Sequence, residues 1–269
     1  RAQKMNIRKI TLMAGLIFAT LNSAAFAWDH PGHMTTAAIA YAEVERQRPE
    51  LMDKIGMLFL AHPEPAPFWV AAGAARGKEA TRRKFIECAR FADDIKFSAE
   101  FPAGNAAAAM SYVEDPVNGK PIPLHILWDS NALRSPKLED VDRYAGELMK
   151  KYPRSSFPEL LEHPYNGPDA FTTWARESYA IAADWAYKGV ETRPDPDLGQ
   201  DTDRLIKNMV KYILEGVAPV DEAPKLPEGY WEKLQVTSAQ RITLAGYRIA
   251  DLILAAADNI EKQRAFMTR

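Results

Sequence analysis

The chain has five histidines, at positions 30, 33, 62, 125 and 163. His125 and Asp129 stand four residues apart in Leu124-His125-Ile126-Leu127-Trp128-Asp129, directly after Pro123. In a helix both side chains lie on one face, where a nitrogen and an oxygen donor can hold a single metal ion. The same spacing also serves a hydrogen bond along a helix surface. His30 and His33 belong to a second cluster, Trp28-Asp29-His30-Pro31-Gly32-His33. If the chain is cut before Trp28, the new amino group and the Trp28 carbonyl could chelate one ion, with His33 closing the site. An α-amino group titrates near pKa ~7.7–8.0, so a metal displaces its proton at modest cost. Asp93 and Asp94 come late in a helical pattern, in Phe91-Ala92-Asp93-Asp94-Ile95. Negative charge there opposes the helix dipole and favours a cation, with solvated surface charge as the other reading. Nitrogen and oxygen donors without sulfur suit zinc best among the divalent ions.

Other chemistries find little support. There is no glycine-rich phosphate loop, no nucleophile-elbow serine and no HExxH. The single cysteine, Cys88, excludes an internal disulfide and any CxxC site, and on its apolar stripe it reads as a core filler. The formal charge is −2, but the first 27 residues hold four basic residues and no acid. The remainder has 30 basic and 36 acidic residues, a net of −6. Such a protein lacks the broad positive field of most nucleic-acid binders, so any capture of phosphates must come from local charge such as metal ions.

The elements that must position these residues read as helices. Residues 1–27 have the form of a signal peptide: Arg8 and Lys9, a short apolar core from Ile10 to Phe18, and the A-x-A site Ala25-Phe26-Ala27. Export to the periplasm or medium is expected, with no membrane anchor after cleavage and a mature chain of residues 28–269. Helical patterns cover Met34–Glu45, Pro49 to about Leu60, Lys78–Ile95, Leu138–Tyr152, Asp169–Lys188, Asp201–Glu215 and Val236–Arg264. No run of alternating β-branched residues stands out. The expectation is one all-α domain, with Trp128, Trp174, Trp185 and Tyr247 as packing residues.

These motifs resemble the zinc-dependent, single-strand-specific nucleases (the S-one/P-one nuclease type), whose all-α fold is shared with bacterial zinc phospholipases C. Trp28 to His33 resembles the family's amino-terminal W…GH, and Phe91-Ala92-Asp93-Asp94-Ile95 resembles WAD-x-I. Pro123 to Ser130 resembles NLHxxWDS, with Pro123 in the asparagine's place, Trp174-Ala175-Arg176-Glu177-Ser178 resembles WAxES, and Leu244 to Ala250 resembles LAGxRLA. The resemblance implies hydrolysis of single-stranded DNA or RNA, with 3′-nucleotidase activity, by a metal-bound hydroxide in a three-zinc cluster. Trp28 and His33 would hold one ion, His125 and Asp129 a second, and the catalytic Asp93 would serve the third. Glu177 would orient a metal-site histidine or cap a neighbouring helix. Single-stranded nucleic acid or nucleotides are the implied partners, and no protein partner is predicted.

The family's HF-x-D motif is represented only by Ser111-Tyr112-Val113-Glu114-Asp115, with Ser111 in the histidine's place, and its GDxHQPLH block has no counterpart. By the resemblance, Tyr112 would stack a nucleobase and Glu114 would recognise it. The missing block leaves three outcomes open. Asp94, Glu114, Asp115 or His30 could supply substitute donors. The cluster could instead shrink to fewer ions on Trp28, His33, His125 and Asp129. Or the chain could be a catalytically impaired, non-enzymatic binding or scaffold protein of the periplasm.

Overall fold

The computed structural model describes residues 30–60, 75–90, 111–131 and 133–267. Helix α1 (His30–Gln47) is followed by α2 (Leu51–Leu60) and α3 (Gly77–Cys88). Strands β1 (Ser111–Glu114) and β2 (Pro121–Pro123) lead straight into α4 (Leu124–Ser130). Then come α5 (Leu138–Lys151), the single turn α6 (Glu159–Glu162), α7 (Asp169–Ile181), the short strand β3 (Arg193–Pro194), α8 (Thr202–Glu215) and α9 (Tyr230–Met267). The protein is all-α, with one small antiparallel sheet among the described residues, in the order β2-β1-β3.

Helix α1 is the centre of the packing. It is built from small and apolar residues on every side, and most of its length is buried. It touches α2, α3, α4, α5 and α9. Its buried hydroxyls are satisfied locally: Thr35 Oγ1 donates to Pro31 O at 2.7 Å and Thr36 Oγ1 to Gly32 O at 3.0 Å. Helix α9 runs beside it in the same direction. Thr36 and Ile39 meet Gly246, Tyr41 and Val44 cluster with Ala250, and Arg48 reaches Asp258 at 2.9 Å and Glu261 at 3.0 Å.

The crossing at Gly246 explains the glycine of the LAG motif. A Cβ there would lie 2.6 Å from Ile39 Cγ2 and 3.1 Å from the Thr36 carbonyl oxygen. Gly246→Ala is therefore expected to destabilise the fold by roughly 1–3 kcal/mol, as overpacking does. Thermal unfolding of the two proteins measures this, and an unchanged melting temperature would rule out so close a contact.

The sheet is an addition to the helical expectation. Its hairpin turns through Asp115 to Lys120, with Gly119 at φ +70°. Asp115 Oδ1 accepts from Val117 N at 2.9 Å and Asn118 Oδ1 from Lys120 N at 2.9 Å. Pro121 and Pro123 both lie in β2, and Pro123 stands at the amino end of α4. The hairpin thus sets where the His125–Asp129 helix begins.

Candidate metal centre

Helix α4 buries Leu124 and Leu127 in a core with Val113, Ile122, Tyr230 and Leu234. With those positions turned inward, His125 and Asp129 share another face of the helix, both half-buried. His33 is half-buried in the first turn of α1, and α1 touches α4. The carboxyl half of the helix is tied down by two hydrogen bonds. Trp128 Nε1 donates to Tyr230 Oη at 2.9 Å, and Asn131 Nδ2 donates to the buried Ser238 Oγ at 2.9 Å. Both partners belong to α9, so the longest helix fixes the position and roll of the donor pair.

A third support comes from the chain after α7. The expected helix through Lys188 stops being α-helical at Ile181 and closes with a π turn, Ala182–Ala186. Tyr230 Oη donates to Ala186 O at 2.6 Å, and the Trp185 ring lies 5.3 Å from Trp128 and 5.5 Å from Tyr230. A π turn inserts one residue into the helical repeat and redirects the chain beyond it, a feature common beside functional sites. Here it brings Tyr187 to the neighbourhood of Asp129, whose charge, after burial, raises the phenol's pKa.

Several expected residues are placed elsewhere. Residues 1–27, Trp28, Asp93 and Asp94 lie outside the described residues. Tyr112 is 0% exposed and packs against Leu205, Met209 and the Tyr212 ring. Its phenol is driven above its ordinary pKa by burial and by the charge of Asp195. The expectation of a base-stacking Tyr112 is corrected: neither face of its ring is open to a nucleobase. Along β1 side chains alternate, so Glu114 shares the Tyr112 face, while Val113 points to the core beneath α4. Glu114 is therefore turned away from the donor pair. Asp115 is buried and committed to the hairpin and to Arg134, at 3.2 and 3.3 Å. It braces the turn rather than replacing a lost ligand.

Glu177 does orient a histidine, though not one of the expected ligands. Its Oε1 lies 2.9 Å from His163 Nδ1, and it accepts two bonds from Arg248, at 2.7 and 2.8 Å, and one from Arg241 at 3.1 Å. The Arg248 guanidinium also covers the Trp174 ring, 4.7 Å from its centroid. The cluster joins α7 antiparallel to α9, on the side of α9 away from α1. Burial pushes the Glu177 carboxyl pKa up, but the hydrogen bonds from Arg248 and His163 and the two guanidinium charges bring it down to about 2. Cys88 is half-buried, and burial raises its thiol pKa.

Among the described residues no three His, Cys, Asp or Glu side chains form a group able to hold a metal ion. The described donors are the His125–Asp129 pair and His33, imidazole and carboxylate groups of the kind zinc takes. Further donors would have to come from Trp28, Asp93 or other residues outside the described set. No described helix is long and apolar enough to cross a membrane.

The site and fold together define an all-helical protein with a histidine–aspartate donor pair seated against its longest helix. The family model described as S1/P1 Nuclease matches residues 113–258, more than half of the chain, and the chain belongs to that family. The matched region starts in β1 and takes in α4, the π turn and most of α9. The family is one of nucleases, hydrolases that act on nucleic acid. No curated protein and no solved structure matches the chain.

Proposed function

We propose that the protein is an exported, zinc-dependent nuclease that hydrolyses phosphodiester bonds of single-stranded DNA or RNA, with 3′-nucleotidase activity at the same site. The observation that carries this reading is the His125–Asp129 pair on one face of α4, fixed by Trp128–Tyr230 and Asn131–Ser238 in a chain of the nuclease family. His125, Asp129 and His33 would hold zinc together with the Trp28 amine and carbonyl, and Asp93 would complete the donor set. Bound zinc would supply Lewis-acid polarisation of a phosphoryl oxygen and make water acidic enough to attack near neutral pH.

The chain's own residues do the positioning. Tyr230 and Ser238 hold α4 so that its two donors keep a fixed separation, which a metal site requires of its supporting partners. Export is supported by the basic, apolar and A-x-A segments of residues 1–27. Chelation is expected to abolish cleavage of single-stranded DNA, and added zinc to restore it. Cleavage that persists through exhaustive chelation would contradict the metal-dependent reading, and no cleavage in excess zinc would favour a non-enzymatic binding protein.

A further inference from the structure

The surface beside α4 carries aromatic and basic groups that the donor pair does not use. Tyr187 comes directly after the π turn and is 60% exposed. It is held there firmly. Ala186, the residue before it, is tied through its carbonyl to Tyr230, and Tyr230 is tied in turn to Trp128, the residue before Asp129. Tyr187 and Asp129 each therefore lie one residue from a hydrogen-bonded chain that joins the π turn to α4.

A cation sits over the ring of Trp185, two residues before Tyr187 in the chain. Lys233 lies about one turn of α9 beyond Tyr230, and its Nζ is 4.2 Å from the centroid of the Trp185 ring. Lys188, next after Tyr187, is exposed as well. The adjacent acid, Glu232, faces elsewhere: it lines a groove with Tyr144 and Lys151, between α5 and α9. An exposed aromatic ring with cations alongside is the combination that holds unpaired nucleotides, since every base has a π face and every linkage a negative charge.

We infer that Tyr187, Trp185 and Lys233 form a track for single-stranded nucleic acid leading away from the donor pair, with a base stacked on Tyr187 and a backbone phosphate at Lys233. The occupant rests on the nuclease reading, and the placement rests on the geometry. The track lies outside the cleaved bond, so it favours polymers over short substrates. It also favours single strands, because the bases of a duplex have both faces already stacked.

The test uses the full-length processed protein and a fluorescein-labelled decathymidylate with phosphorothioate linkages, which resists cleavage. Tyr187→Ala is expected to weaken its binding by about 5- to 150-fold, the loss of one stacked base. Tyr187→Phe is expected to bind like the wild type, since stacking needs the ring and not the hydroxyl. Lys233→Met is expected to lower the dependence of affinity on salt. Equal binding by Tyr187→Ala and wild type would overturn the track, as would a loss in Tyr187→Phe as large as that in Tyr187→Ala. Absence of wild-type cleavage would count against the nuclease reading alone, because the binding series is read without turnover.

Discussion

His125→Ala is expected to lower phosphodiester hydrolysis by more than about 100-fold while leaving the fold intact. The imidazole occupies the face of α4 that Leu124 and Leu127 do not use, so its removal opens no cavity in the core beneath. As a metal ligand it should matter more than the partners that merely support ligands, whose loss costs about 10- to 100-fold in metal affinity or activity. Asp129→Asn keeps the shape of the side chain and removes its charge, and a loss of the same order is expected. Rates on single-stranded DNA, with far-UV circular dichroism as a check on helix content, measure both effects. A variant that stays folded and cleaves at the wild-type rate would remove α4 from the chemistry.

The second large effect is on stability. Glu177→Gln leaves Arg248, 6% exposed, and Arg241 facing each other without their shared carboxylate. Breaking a buried ion pair from one side costs about 3–5 kcal/mol, because the remaining charge stays desolvated. A chain of this size is expected to lose on the order of 10 °C in melting temperature. The pH dependence has a definite sign. With its folded-state pKa lowered from 4.5 to about 2, Glu177 contributes stability that is complete above pH 4.5 and is lost as pH falls towards 2. Wild type should therefore destabilise more steeply than Glu177→Gln across that window. Denaturant unfolding at several pH values between 2 and 6 compares the two slopes, and equal slopes would show that the carboxylate is not held in its charged form.

The features legible in the sequence are those that local spacing determines. Helix α5 matches its pattern closely because Val141, Ala145 and Leu148 repeat at three and four residues and are buried as a stripe. The i, i+4 relation of His125 and Asp129 survives because α4 is helical across both. The hairpin before it escapes the pattern although Asn118-Gly119 is a turn signal, since its strands are only four and three residues long and β2 begins and ends in proline.

Tyr112 shows a different limit. Both faces of β1 are covered, so alternation alone does not distinguish a packed ring from a stacking platform. The helix expected to start at Val236 starts at Tyr230, and that earlier turn supplies the phenol joining α4 to the π turn. The Glu177 cluster joins residues 64 and 71 positions apart, a pairing that only the antiparallel packing of α7 on α9 creates. Tyr230, Ser238, Arg241 and Tyr187 owe their roles to tertiary contacts, and no local spacing announces them.

The most direct test of the metal site is the zinc content of protein processed to begin at Trp28, measured by elemental analysis beside the His125→Ala and Asp129→Asn variants. At least one tightly held zinc per wild-type chain is predicted, with a marked loss in both variants. A zinc content near zero in wild type supplied with excess metal, or the same content in all three proteins, would contradict a zinc centre built on α4.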